Sequence, residues 1–252
     1  MSKYRYDKSL FLVCKMAERC FECFRPQSHC LCEYAKPVVE SGIKFIFLMH
    51  PKEGRHQRTG TGRLSHIALK DSEIIVGIDF SKNQHFLDLI NDEKYFPMLM
   101  YPGEDAWNAK KEGFSNIVGN KTLLVIIIDA TWFCSRKIIE HNPQLLKLPR
   151  LSFYGDYRSI FTFKKEPKPE YISTIESCYY LIKELQSIEK KSSGNSIVNN
   201  NANPEPLMKV FKKMIKDQLQ AENDRIEGKL PNVFAHDWKY HAKKEIPTFL
   251  DT

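Results

Sequence analysis

The chain predicts an α/β fold, a mainly parallel sheet flanked by helices, and three observations carry that expectation. Short β-branched and aromatic runs alternate with stretches of helical periodicity, the pattern of βαβ units. The run TLLVIIID at 122–129 is apolar on both faces, as a strand covered by helices on both sides must be. A compact chain of 252 residues buries roughly 70–75% of its unfolded surface, so it supports a sizeable core.

Taken in order, strands are expected at 43–49, 73–78, 95–101, 122–129 and 151–154, each a β-branched or aromatic run bounded by Gly, Pro or Asp. Helices are expected at 63–70, 84–91 and 132–140. Ile175, Cys178, Tyr179, Ile182 and Leu185 recur at spacings of three and four, the stripe of an amphipathic helix. Leu207, Val210, Phe211, Met214, Ile215 and Leu219 make a second stripe. Lys209, Lys212, Lys213 and Lys216 occupy much of its remaining surface, as a solvated face or as phosphate contacts. Between the two, KSSGNSIVNNNANPEP at 191–206 is rich in Asn, Ser and Pro and reads as a flexible surface loop. The expected organisation is a zinc-binding segment over 1–40, an α/β domain over 41–190, the loop over 191–206, and a C-terminal helix and tail packed on the core over 207–252. No internal repeat is visible.

Composition excludes several classes. With 42% hydrophobic and 27% charged residues, the chain is neither disordered, nor collagen-like, nor a disulfide-stapled miniprotein. A net charge of +7 suits a polyanionic partner. Seven cysteines, an odd number with no secretory signal, point to a reducing compartment. No run reaches the length of a membrane helix, so the protein is expected to be soluble and cytoplasmic, without a membrane partner.

The most specific local signal is Cys20-x2-Cys23-x6-Cys30-x-Cys32. A C-x2-C knuckle brings two thiolates together in one turn, and a C-x-C pair closes a tetrahedral site from a neighbouring turn. Structural zinc on Cys20, Cys23, Cys30 and Cys32 is therefore expected, with disulfide or redox pairs and an iron–sulfur site as alternatives. A closed four-thiolate site has no open position for catalysis, so its task is to fold the N-terminal segment. His29 beside Cys30 reads as a bystander. Cys14, Cys134 and Cys178 read as buried thiols.

Strand ends carry the remaining candidates, because ligands of open parallel sheets bind beyond the carboxyl ends of strands. Asp129 ends 122–129 and opens DATW; as acid it suits chemistry, and equally Asp or Thr there could cap the following helix. Trp132 is a stacking surface or a core residue. His50, in HPKE after the first strand, is an acid/base or a hydrogen-bonded structural residue. TGTGR at 59–63 enters a helix whose start could receive an anion, although it is neither a dinucleotide fingerprint nor a P-loop. Ser173-Thr174-Ile175-Glu176 reads as a capping box, Ser173 bonding the backbone at Glu176 and Glu176 reaching back.

The order of these blocks resembles the DTW-domain family of tRNA-uridine aminocarboxypropyltransferases. The cysteine cluster is followed by His50-Pro51-x-Glu53, TGR, YPG, Asp129-x-Thr131-Trp132, LPR at 148–150 and STIE at 173–176, over about 20–185. The resemblance implies a SPOUT-like α/β domain with a trefoil knot. It also implies transfer of the 3-amino-3-carboxypropyl group of S-adenosylmethionine, as co-substrate, to N3 of a tRNA uridine. The catalytic residues would be Asp129 as base, with Thr131 and Trp132 shaping the pocket. The S-adenosylmethionine-binding residues would be Leu48, His50, Pro51, Tyr101, Pro102, Gly103, Asp129, Leu148, Ser173, Thr174 and Glu176. The RNA contacts would be Arg63, Arg136, Lys164, Lys165 and Lys168. Many relatives carry an arginine where this chain has Lys164-Lys165, a point charge in place of a bidentate fork. Two other readings fit the same residues, an S-adenosylmethionine-dependent RNA methyltransferase and a non-catalytic zinc-dependent RNA-binding protein. No obligate protein partner is evident, and the oligomeric state is left open.

Overall fold

The computed structural model describes residues 19–56, 60–161, 171–189 and 196–229. Its strands are β1 (Lys44–Met49), β2 (Ser72–Val76), β3 (Tyr95–Met100), β4 (Thr122–Asp129) and β5 (Arg150–Leu151). They form one sheet in the order β2-β1-β4-β3-β5, and every neighbouring pair is parallel. The connections are α1 (Pro51–His56) and α2 (Thr61–Ala68) after β1, α3 (Gln84–Asn91) after β2, α4 (Phe114–Val118) after β3 and α5 (Trp132–His141) after β4. Two long helices, α6 (Thr174–Glu189) and α7 (Glu205–Ile226), complete the fold.

The pleat sends alternate residues of the central strands to opposite faces. Phe45 and Phe47 of β1, with Val125 and Ile127 of β4, pack beneath α2, α4, α6 and α7. Ile46, Leu48, Leu124 and Ile126 pack beneath α3 and α5. Residues 123–126 are completely buried, which accounts for the unbroken apolar run. The stripe on α7, from Leu207 to Leu219, lies on the first of these faces. Of the lysines beside it, Lys213 is held by Asp217 and lies over the Tyr34 ring, while Lys209, Lys212 and Lys216 are exposed.

Several expectations need correction. β5 has two residues, not four, because residues 152–157 leave the sheet; there Glu184 of α6 accepts the backbone N–H groups of Tyr154 and Gly155 and the Tyr157 hydroxyl. Within HPKE, Pro51 opens α1, its missing N–H costing nothing in a first turn. The described part of the expected loop 191–206 is pinned down. Asn199 donates its backbone N–H to Ser41 O at 2.7 Å, Gln186 holds the carbonyls of Asn199 and Ala202, and Val198 is 1% exposed. Composition alone did not reveal Ile197 and Val198 as anchors. Lys164, Lys165, Lys168, Cys14 and the tail beyond 229 lie outside the described residues. Among the described residues, no helix is long and apolar enough to cross a membrane.

Candidate active site and metal centre

The strand order creates one border where connections diverge. From β1 the chain moves toward β2 on one edge, and from β4 toward β5 on the other. Such a switch point opens a crevice at the carboxyl ends of the two strands. Met49 and Asp129 are paired at that border, and the His50 N–H donates to Asp129 O at 3.1 Å.

Asp129 follows Val125 and Ile127 in the pleat, and its carboxyl group meets α2 and α6. Thr174 at the start of α6 donates its hydroxyl to Asp129 Oδ1 at 2.8 Å. Gly62 in the first turn of α2 lies so close that a Cβ there would stand 2.4 Å from the Asp129 Cγ and Oδ2. Only a residue without a side chain allows this approach. DATW, TGR and STIE thus converge on one carboxylate, itself 5% exposed. Gly62→Ala is expected to destabilise the fold by about 1–3 kcal/mol through overpacking. A denaturant midpoint equal to wild type would show that the carboxylate has room to move.

The other residues of DATW divide their tasks. Thr131 is the N-cap of α5, its hydroxyl accepting from Cys134 N at 3.4 Å, so the capping alternative describes Thr131 while Asp129 is turned to other partners. Trp132, 37% exposed, stacks on Tyr171 with ring centroids 4.3 Å apart. Tyr171 escaped the sequence reading because it lies outside every recognised block; only its position two residues before STIE hinted at it.

Ser173 and Glu176 form a capping box of altered geometry. Ser173 N donates to Glu176 Oε2 at 2.8 Å, as expected, but the Ser173 hydroxyl also donates to that oxygen instead of accepting from the helix. Ser159 Oγ and Ile160 N fill the rest of the carboxylate, which is completely buried. Glu176 therefore ties the chain after β5 to α6.

The remaining expected pocket residues lie elsewhere. Leu48 is completely buried on the α3/α5 face, so its side chain belongs to the core. Tyr101, Leu148, Ile128 and Ala130 are half-buried on that same side. Pro102 and Gly103 are exposed. A Cβ on Gly103 would strike the Arg150 guanidinium, which is paired with Asp105. The structure thus places these residues on two sides of the sheet: Tyr101 and Leu148 with α5, Asp129 and Thr174 with α2 and α6.

His50 is 5% exposed, and its Nδ1 accepts the Lys52 backbone N–H at 3.2 Å. Burial first, then Lys52 and Lys137, pull its imidazole below the ordinary value. As pH falls through about 6.5, the unfolded chain takes up this proton before the folded one does. The unfolded state then binds more protons, so stability falls with acidification. His50→Gln should flatten that part of the pH dependence, read from denaturant midpoints at about pH 7.5 and about pH 6. An unchanged difference between the two pH values would remove His50 from the account.

At the N-terminus, Cys20 N donates to Arg25 O and Phe24 N to Cys20 O, both at 2.9 Å, closing a tight knuckle. Phe24 takes φ 58°, in the left-handed region. The sulfur atoms of Cys20, Cys23, Cys30 and Cys32 lie within 4.8 Å of one another, with Cys20–Cys32 at 3.6 Å and Cys23–Cys30 at 3.8 Å. A tetrahedron with metal–sulfur bonds of about 2.3 Å has sulfur–sulfur edges of roughly 3.8 Å, so the cluster fits such an ion. The backbone N–H of Cys23, the largest influence, helps pull the Cys20 thiol down to about 7. His29 is exposed and bonded to Ser28, outside the cluster. Cys134 and Cys178 are buried thiols.

Arg63 joins the two centres. Its guanidinium lies 4.0 Å from the Phe24 ring centroid; burial lowers its pKa, while Asp129 and Cys23 oppose that shift. Arg136 is exposed on α5. In comparison with known proteins, the family model described as the DTW domain matches residues 17–219, from just before the knuckle into α7. No solved structure matches the chain.

Proposed function

The chain belongs to the DTW-domain family, and from that premise we propose that it transfers the 3-amino-3-carboxypropyl group of S-adenosylmethionine to N3 of a uridine in tRNA. The observation that carries this reading is the convergence of DATW, TGR and STIE on the Asp129 carboxylate at the β1–β4 border. Three blocks that are far apart in sequence have one acid in common.

Asp129 accepts the N3 proton of the uridine as that nitrogen attacks the methylene carbon beside the sulfonium. The carbon–sulfur bond breaks with its electron pair on sulfur, and the sulfur leaves within 5′-methylthioadenosine. Thr174, donating to Asp129 Oδ1, keeps the carboxylate oriented. Trp132, three residues along the chain from the acid, and Tyr171 stacked on it offer a base-sized aromatic surface. The co-substrate supplies the activated carbon; the half-buried group of Tyr101, Leu148, Ile128 and Ala130 suits its adenine, with Pro51, Pro102 and Gly103 beside the same strand ends. Which carbon faces the nucleophile decides between this transfer and methylation. Zinc on the four cysteines holds the N-terminal segment in register with α2 and α7. The SPOUT-like knot, a cytoplasmic location and RNA contacts by Arg63, Arg136, Lys164, Lys165 and Lys168 belong to the same reading.

Incubation of purified protein with S-adenosylmethionine and unmodified tRNA tests it. The expected thioether product is 5′-methylthioadenosine. S-adenosylhomocysteine would identify a methyltransferase instead, and RNA binding without any turnover would identify a non-catalytic protein.

A further inference from the structure

Phe21, on the cysteine knuckle, is 95% exposed, and Phe24 beside it is 51% exposed. Large rings are rarely left so bare without a partner. Both line an open groove of about 720 Å³ between the knuckle, α2 and β2, whose lining also includes Arg63, Lys36, Lys70 and Val76. Burial of the Val76 side chain would follow from occupation, since it is 52% exposed at the sheet edge.

We propose that this groove binds a single-stranded stretch of RNA, its bases stacked on Phe21 and Phe24 and its phosphates beside Lys36, Arg63 and Lys70. Charge complementarity favours polyanionic RNA over a basic or neutral partner: Lys36, Arg63 and Lys70, the last paired with Glu40 at 3.0 Å, line the groove with one carboxylate, Glu22, on a chain of net charge +7. Aromatic rings alternating with cations are what sequence-tolerant single-strand binding requires, because every base has a face to stack. The knuckle presents the rings on a turn fixed by the Cys20–Arg25 and Phe24–Cys20 backbone bonds, so little ordering entropy is lost on binding. Arg63 lies against the Phe24 ring and follows Gly62, which abuts the Asp129 carboxylate, so the groove and the acid share the first turn of α2. This inference rests on the reading of RNA as substrate and extends it to a second surface.

The test measures binding of a fluorescent unstructured RNA oligonucleotide to the zinc-loaded full chain by anisotropy, at two salt concentrations, with tRNA modification assayed in parallel. Phe21→Ala leaves the fold alone because the ring touches so little, and Phe24→Gly suits the positive φ at that position. Each variant is expected to weaken oligonucleotide binding about tenfold, with zinc content unchanged. Lys36→Gln is expected to reduce the salt dependence. Wild-type affinity in the double variant would overturn the groove proposal, and if tRNA is still modified the proposed reaction survives that failure. Loss of turnover in wild-type protein with Phe-dependent oligonucleotide binding intact would sink the reaction and keep the groove. A concentration-dependent dimer that dissociates in the Phe variants, with RNA binding unaffected, would assign the surface to a second copy of the chain and overturn the proposal.

Discussion

Asp129→Asn is expected to lower the transfer rate by about 10²–10⁴-fold, the range assigned to a positioned general base, while the fold and metal content stay at wild-type values. The substitution isolates proton acceptance from shape. The amide oxygen still accepts the Thr174 hydroxyl that now bonds Oδ1 at 2.8 Å. The side chain keeps its size, so the close Gly62 backbone is not pressed. What disappears is the negative charge and with it the proposed acceptor of the uridine proton. Arg63, whose pKa burial lowers and Asp129 raises, loses that counter-charge and should retain its position over Phe24. Single-turnover rates with saturating tRNA read the effect directly. A rate within about tenfold of wild type would remove Asp129 from the proton transfer.

Cys23→Ser is expected to act on the fold. It removes one of four sulfur atoms whose mutual distances suit a tetrahedral ion, and a serine hydroxyl is a poor replacement for a thiolate. Structural zinc in small cysteine sites contributes about 10–16 kcal/mol of binding free energy to the folded state. Most of that would be lost from the segment that carries Phe21, Phe24 and Arg25. The damage should spread beyond the knuckle, because the short turn Cys32–Ala35 that follows packs on α7 and α2. Leu31 and Ala35, 1% and 0% exposed, belong to the main core beneath these helices. Lower metal content, lower solubility and a lower melting temperature are the expected results. A soluble, metal-free variant of wild-type stability would show that the cysteines are not needed to hold this segment.

The parts of the fold legible in the sequence are those governed by local periodicity. The helix at 84–91 and the strand at 122–129 coincide with α3 and β4, because Asn83 caps the one and an unbroken apolar run makes the other. The four cysteines were equally legible, since their spacing alone brings the thiols together. The assembly of Asp129 with Gly62 and Thr174 was not. Pleat parity decides which face a strand-end side chain takes, and that parity sends Asp129 toward α2 and α6 and Leu48 into the core beneath α3 and α5. Tyr171 and the Ile197–Val198 anchor were hidden for a related reason: each is a short element in polar surroundings whose partner lies far away in sequence.

Nucleoside mass spectrometry of tRNA treated with S-adenosylmethionine and either wild-type protein or Asp129→Asn addresses the central claim most directly. Wild-type digests should contain a uridine bearing the aminocarboxypropyl group on N3, and the variant's digests should lack it. A methylated nucleoside, or equal yields from both proteins, would contradict the account.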